Sequence, residues 1–439
     1  PLQIAMIGAG YVGLVSSVCF AEFGADVICV DKDASKVEAL QAGRVPIYEP
    51  GLSGMIAANT AAGRLKFTMD LAAAVSTADA IFIAVGTPSR RGDGHADLTY
   101  VFEAAKEIAA AARPGAVIVT KSTVPVGSGR QVAAAIRAER PGLDFDVASN
   151  PEFLREGSAI GDFMRPDRVV IGAESPRAAN LLRALYRPLQ LNDAQLVVVD
   201  LETAELIKYA ANAFLATKIA FINEMADVAE AVGADIEGVA RGMGLDQRIG
   251  ARFLQPGPGY GGSCFPKDTK ALAMTARDAG VPSQIVDAAV AANADRRKRM
   301  VEKVEALCGG GVSGQRIAAL GVTFKAETDD MRDAPALEIL PALAAAGADI
   351  CAYDPQGMNE AAPLLPEVTW AATAYDAAAG ADCIIVLTEW NEFRAINLAR
   401  LGKVMRTRRI ADLRNLYDPT EALSHGFAYT GVGRGKAPS

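Results

Sequence analysis

Residues 2–33 read LQIAMIGAGYVGLVSSVCFAEFGADVICVDKD, and this stretch decides the fold. LQIAMI is a short β-rich run, GLVSSVCFAEFG carries helix-like apolar spacing, and ADVICVD is a second strand. The turn between the first strand and the helix is Gly8-Ala9-Gly10-Tyr11-Val12-Gly13, a GxGxxG pattern. Its glycines permit a tight turn and let a pyrophosphate approach the helix N-terminus. Asp31 follows at the end of the second strand, where a carboxylate accepts the ribose hydroxyls of a dinucleotide. An acid there with no arginine beside it favours NAD over NADP, tempered by Lys32 and Lys36 nearby.

Working outward, strand-like runs recur at ADAIFIAVGTP (78–88), AVIVTKSTVPVG (116–127), FDVASNPEF (145–153) and RVVIG (168–172). Helical stretches such as DLTYVFEAAKEIAAAA (97–112) separate them. This alternation predicts a doubly wound, mostly parallel sheet. From Leu201 to about Val232 one helical pattern runs without glycine or proline, spanning on the order of 45 Å. Its apolar residues cover more than one face, as expected of a spine packed against other domains or a partner subunit. A glycine- and proline-rich loop follows, then more helix to about residue 306. RIAALGV (316–322), ADICAYDP (348–355), ADCIIVLTEW (381–390) and RRIADLRN (408–415) then repeat the strand pattern without a second GxGxxG. The expected fold is therefore α/β. It has two Rossmann-like doubly wound domains joined by a long central helix and helical region. The segments are 1–196 for the dinucleotide, 197–305 for the helical region with a reactive loop, and 306–439.

Composition narrows the chemistry. The chain has 439 residues and a net charge of -8, with 44 basic and 52 acidic residues spread along its length. That balance argues against a nucleic-acid or membrane surface. The two histidines, His95 and His425, are isolated, and the six cysteines form no CxxC pair, which excludes multi-histidine metal sites, zinc ribbons, thioredoxin-like redox pairs and most iron–sulfur schemes. No apolar run approaches the ~18 residues of a membrane span. The reading expects a cytoplasmic protein without a secretory signal.

Cys264 stands apart from the other cysteines, several of which sit in apolar runs such as CIIVL. It lies in Gly257-Pro258-Gly259-Tyr260-Gly261-Gly262-Ser263-Cys264-Phe265-Pro266-Lys267-Asp268. Flexible backbone can approach a ligand there, and Lys267 favours a thiolate. A cysteine nucleophile beside a dinucleotide fold points to carbonyl oxidation through a thiohemiacetal and a thioester. Lys208 and Asn212, four residues apart on the long helix, leave the same face and suit an alkoxide or oxyanion. Glu205 is equally placed for an ordinary ion pair with Lys208.

GAGYVGL, GTPS, KSTVPVG, SNPEFLREGSA, AELIKYAANAFLATKIAFINE, QRIGARFLQPGPGYGGSCFPKD, FKAETDDMRDAP and DLRN, in this order, resemble the UDP-glucose 6-dehydrogenase family over nearly the whole length. The resemblance implies NAD-dependent four-electron oxidation of UDP-glucose to UDP-glucuronate. Cys264 is then the nucleophile, Lys208 and Asn212 polarise the C6 oxygen, and Asp268 organises water and proton transfer. Glu152 is the base for thioester hydrolysis, while Thr123 and Glu156 line the cofactor side. Cofactor contacts implied by the motifs are Gly8, Gly10, Tyr11, Val12, Gly13, Asp31, Lys36, Thr87, Lys267 and Arg332.

The same resemblance places Phe153, Leu154 and Arg155 along the sugar nucleotide. Phe253, Leu254, Gln255, Pro256, Gly257, Gly261 and Lys325 join them, and Arg414 serves the UDP end. Lys325 and Arg414 also fit a diphosphate on electrostatic grounds alone. Arg248 would reach the sugar from a neighbouring subunit, implying a homodimer through the 201–232 helix. GDP-mannose and UDP-N-acetylmannosamine dehydrogenases share this plan; SCFPKD and the QRIG–FLQPG pair favour UDP-glucose. A two-electron β-hydroxyacid dehydrogenase and a non-catalytic nucleotide-sugar-binding protein are more distant readings.

Overall fold

The computed structural model describes residues 1–90, 92–192 and 195–435. The chain divides into two compact units, Pro1–Ala211 with Met274–Val281, and Asn212–Ala273 with Pro282 onward.

In the first unit an eight-stranded sheet is built from β1 (Gln3–Ile7), β2 (Asp26–Val30), β3 (Leu65–Thr68), β4 (Ala80–Ile83), β5 (Ala116–Thr120), β6 (Phe145–Ser149), β7 (Val169–Ala173) and β8 (Leu196–Val199). Their order is β3-β2-β1-β4-β5-β6-β7-β8. Every pairing is parallel except β6 with β7. The central strands read as unbroken apolar runs because helices cover both faces of a parallel sheet. Phe82 of β4 and Phe20 of the helix Tyr11–Glu22 pack with ring centroids 5.1 Å apart. Phe163 and Tyr186 lie 5.2 and 5.5 Å from Phe20, completing an aromatic core.

The second unit repeats the plan. β9 (Arg316–Leu320), β10 (Asp349–Tyr353), β11 (Thr369–Trp370), β12 (Cys383–Val386), β13 (Arg409–Asp412) and β14 (Ala428–Thr430) form an all-parallel sheet ordered β11-β10-β9-β12-β13-β14. The first six strands of the larger sheet follow the same relative order. The resemblance extends to a detail: Asp31, after β2, accepts the Ala9 amide at 2.8 Å. Asp354, after β10, accepts those of Val322 and Thr323 at 2.8 and 3.2 Å. Each carboxylate pins the first turn of its own sheet.

The two-domain Rossmann-like fold with a long central helix is therefore present. The long helix runs Leu201–Val232, and the boundary between the units falls within it. The helical stretch expected as far as residue 306 is two helices, Phe265–Asp278 and Gln284–Leu307. Gly280, at φ 75°, and Pro282 separate them. Among the described residues no helix is long and apolar enough to cross a membrane.

Candidate active site

The dinucleotide turn is shaped by backbone contact. A Cβ on Gly8 would come 2.5 Å from Ala84 O, and one on Gly13 would come 1.8 Å from Gly8 O. Gly10 has nothing within 4 Å of its virtual Cβ, leaving open space for a phosphate at the start of the helix Tyr11–Glu22. Asp31 Oδ1 also accepts the Asp33 amide at 2.9 Å, and Lys36 Nζ lies 3.9 Å from Asp31 Oδ2. Lys32 turns instead to Glu107, at 2.9 Å. These residues fit a dinucleotide: glycines open the approach, and a fixed acid stands at the ribose position. Thr87, buried on the GTPS turn, donates to Thr123 O at 3.0 Å, so these two predicted cofactor-side residues are joined.

On the long helix, Lys208 is 3% exposed. Its Nζ donates to Glu152 O at 2.6 Å and lies 3.5 Å from Glu152 Oε1. Glu152 Oε2 accepts the Leu154 amide at 2.7 Å, which fixes the PEFLREG turn. Phe153 lies under two cations, with Arg168 3.5 Å and Lys208 5.3 Å from its ring centre. Arg155 is held by Asp162, at 2.7 Å, and Glu156 is half-buried.

Glu205, one turn earlier on the helix, uses both carboxylate oxygens to accept the amides of Gly127 and Gly129, at 3.1 and 2.9 Å. These amides open the helix Ser128–Glu139, so the carboxylate caps it and ties it to the long helix. Burial, outweighing the two amides, pushes this carboxyl up to about 7 from its ordinary 4.5. The folded chain therefore keeps the proton to higher pH than the unfolded chain. The stability this supplies is full below the ordinary value and is lost as pH rises through about 7. Glu205→Gln is expected to flatten that slope, by at most about 1.4 kcal/mol per pH unit. Denaturant unfolding at pH 5, 6, 7 and 8 checks it; parallel curves for both proteins would refute it.

The second unit carries the cysteine. All six cysteines are thiols, and Cys264 alone is not buried. Burial pushes Cys19 and Cys29 up to about 12, consistent with inert core packing. Cys264 lies at the start of the helix Phe265–Asp278, where its carbonyl accepts the Asp268 amide at 2.8 Å. The sequence pattern reads as loop here because Pro266 follows two residues on, yet proline is tolerated in a first helical turn. Cys264 thus directly precedes a helix N-terminus, a position that favours negative charge. Ser263 Oγ is 3.5 Å from Cys264 Sγ. Asp268 is 1% exposed, accepts from Asn212 Nδ2 at 2.8 Å, and lies 3.7 Å from Lys267 Nζ.

The glycine loop before Cys264 is held by buried side chains that sequence reasoning missed. Asn223 accepts the Gly257 amide at 2.9 Å, and Arg296 donates to Gly257 O at 3.0 Å. Asn293 both accepts from and donates to the backbone of Tyr260, at 2.8 and 3.1 Å. Arg297 joins Tyr260 O to Asp333 O, at 3.0 and 2.6 Å. Gly261 and Gly262 are required by close approach: Cβ atoms there would lie 2.3 Å from Asp333 O and 2.7 Å from the Phe324 ring. A signal for this clamp existed in the adjacent pair Arg296–Arg297 on an otherwise helical stretch.

Among the expected sugar-nucleotide residues, Leu254 is buried, Gln255 exposed and Pro256 half-buried. Phe253 has φ 65° and packs edge-on against Phe265. Arg414 donates to Leu387 O at 2.8 Å and Phe324 O at 3.0 Å, and meets Glu389 at 3.3 Å. Burial raises the Glu389 carboxyl, but Arg414, the Ala326 amide and Lys325 together hold it below its ordinary value. Lys325 and Arg414 therefore share one carboxylate neighbour. Arg332 pairs with Asp330 at 2.7 Å. Arg248, its side chain 89% exposed, pairs with Asp246 at 2.6 Å.

A dinucleotide turn with an acid at the ribose position and an N-terminal-helix cysteine beside a buried carboxylate define a dehydrogenase of the two-Rossmann class. The chain belongs to the UDP-glucose/GDP-mannose dehydrogenase family, matching its NAD binding domain over residues 2–190, its central domain over 202–295 and its UDP binding domain over 318–419. It is 56% identical over 435 residues to a UDP-glucose 6-dehydrogenase of Rhizobium meliloti, covering 99% of this chain and 100% of the relative. It is 47% identical to the Bacillus subtilis UDP-glucose 6-dehydrogenase TuaD, covering 98% and 93%. Among solved structures, a UDP-glucose dehydrogenase from Pyrobaculum islandicum superimposes with a TM-score of 0.89 at 39% identity, covering 95% of each chain.

Proposed function

We propose that this enzyme oxidises the C6 alcohol of UDP-glucose to the carboxylate of UDP-glucuronate, consuming two NAD per sugar. The observation that carries this reading is Cys264: the one cysteine of six outside the core, directly before a helix whose first turn holds Asp268, itself bonded to Asn212 of the long helix. Bound NAD accepts one hydride in each of the two oxidations. Lys208 and Asn212, one helical turn apart, stabilise the C6 oxygen as the alcohol loses its proton and becomes an aldehyde. The Cys264 sulfur adds to that aldehyde, forming the C–S bond of a thiohemiacetal. Loss of a second hydride and proton leaves a thioester. Glu152 takes a proton from water, whose oxygen attacks the thioester carbonyl; the C–S bond breaks, and the thiol and uronate are released. No histidine occurs in these motifs, so carboxylate, lysine and water move the protons.

Both relatives named above carry UDP-glucose 6-dehydrogenase names, which supports UDP-glucose over GDP-mannose or UDP-N-acetylmannosamine. In this reading residues 1–196 hold the dinucleotide, 197–305 carry the catalytic helix and loop, and 306–439 bind the UDP-sugar through Lys325 and Arg414; residues 436–439 lie outside the described residues. Incubation with each of the three sugar nucleotides tests the assignment. Two NADH per uronate with UDP-glucose, at the highest kcat/KM, is expected. One NADH per turnover with a carbonyl product would refute it.

The enzyme is proposed to work as a homodimer through the outer face of the long helix. Phe214, Phe221 and Val228, spaced seven residues apart, are 66%, 45% and 49% exposed in the single chain. Such a stripe matches a helix packing on its own copy. The double variant Phe214→Glu/Phe221→Glu is expected to run as a monomer in light scattering; an unchanged dimer mass would exclude this face.

A further inference from the structure

Lys121 closes β5 and is 2% exposed. Lysine is almost never buried to this extent without an ion-pair partner. Among the described residues its hydrogen-bond partners are all neutral. Nζ donates to Asn150 O at 3.2 Å, Asn150 Oδ1 at 3.0 Å and Tyr186 Oη at 3.4 Å. The Phe163 ring centre lies 5.6 Å away. Tyr186 also donates to Asn150 Oδ1 at 2.5 Å, and Asn150 Nδ2 donates to Val170 O at 2.9 Å. Asn150 is thus gripped from three sides, two residues before Glu152.

We propose that Lys121 is a positioning residue for the Glu152–Lys208 pair: its ammonium anchors the Asn150–Glu152 turn and sets a fixed positive charge behind the Glu152 carboxylate. The inference rests on the reading of Glu152 as the hydrolytic base. The charged and titratable groups facing Lys121 are Glu152, Lys208, Cys19 of the helix Tyr11–Glu22, and Tyr186 of the helix Pro176–Tyr186. Burial pulls Lys121 down to about 8, with Glu152 steadying the ammonium and Lys208 opposing it. The same charges act in reverse: the Lys121 ammonium attracts the Glu152 carboxylate and repels the Lys208 ammonium. A cation kept in an aromatic core at this cost is better explained by its effect on those two groups than by packing, since an apolar side chain would be buried more favourably.

The test compares Lys121→Gln, which keeps a donor but loses the charge, with Lys121→Arg, which keeps the charge, and with Glu152→Gln. The readout is the pH profile of kcat and the KM for UDP-glucose and NAD. Lys121→Gln is expected to move the acidic limb of kcat up by about one pH unit, with both KM values within about twofold, and Lys121→Arg to restore the limb. A Lys121→Gln profile superimposing on wild type would overturn the proposal. So would Gln and Arg lowering kcat equally at every pH. If Glu152→Gln abolishes the limb while Lys121→Gln leaves it in place, only this proposal fails; if Glu152→Gln retains the limb, the reading of Glu152 fails and takes the proposal with it. Should Lys121→Gln not fold, the Lys121 ammonium can be titrated by NMR in ¹⁵N-lysine-labelled protein. A lower titration point in Glu152→Gln than in wild type is expected, and an identical one would overturn the proposal.

Discussion

Cys264→Ser is expected to lower uronate formation by on the order of 10⁴-fold or more, while NAD and UDP-glucose bind within a few-fold of wild type. The substitution keeps the size of the side chain and its place before the helix Phe265–Asp278. What it removes is a sulfur, which is the better nucleophile toward a carbonyl and leaves readily from an acyl group. A serine hydroxyl at the same helix terminus gains the same dipole yet stays protonated. The remaining five cysteines are buried and provide no substitute. Steady-state NADH formation together with calorimetric titration of each ligand separates chemistry from binding. Turnover near the wild-type rate would eliminate the covalent route.

Lys208→Met is expected to affect both rate and stability. In the proposed mechanism Lys208 is the cation at the developing C6 oxyanion, a role worth on the order of 10²–10³-fold in kcat. Its loss also strips the buried Glu152 carboxylate of its closest ionic partner, at 3.5 Å, and leaves Glu152 O without the 2.6 Å donor. Breaking one side of a buried pair costs about 3 kcal/mol, readable as a lower denaturation midpoint at unchanged slope. Adding Glu152→Gln should recover much of that stability without recovering activity, because the uncompensated charge goes while the oxyanion partner is still missing. A Lys208→Met protein with normal kcat would remove Lys208 from the chemistry.

Much of this site is legible in the sequence because its parts are local. GxGxxG between a strand and a helix, Asp31 at the next strand end, and Lys208 with Asn212 four residues apart are patterns that short-range geometry imposes. The long helix is legible because nothing between Leu201 and Val232 breaks it. What escapes is set by distant contacts. Glu205 looks like an ordinary helix-surface partner of Lys208, but its oxygens are directed to amides 76 and 78 residues away in the chain. Lys121 reads as the polar end of a strand, and only the fold encloses it between Asn150, Tyr186 and Phe163. The edge strands β3, β11 and β14 have two to four residues, too few for any periodicity to declare itself. The helix beginning after Cys264 hides behind Pro266, whose presence ordinarily argues against helix.

The two sheets share an order and the acid that pins their first turns, yet the turns themselves are built differently. In the first, the helix starts at Tyr11, directly after Gly10, and Gly8 and Gly13 have no room for any side chain. In the second, residues 321–335 intervene before the helix Ala336–Ala345, and this longer turn carries Lys325 and Arg332. One turn is closed to substitution at Gly8 and Gly13 by backbone contact; the other is furnished with exchangeable side chains. In the proposed function the first turn therefore serves the dinucleotide mainly through its backbone, whereas the second offers side chains that point mutation can exchange, Lys325 toward the UDP-sugar and Arg332 toward the cofactor.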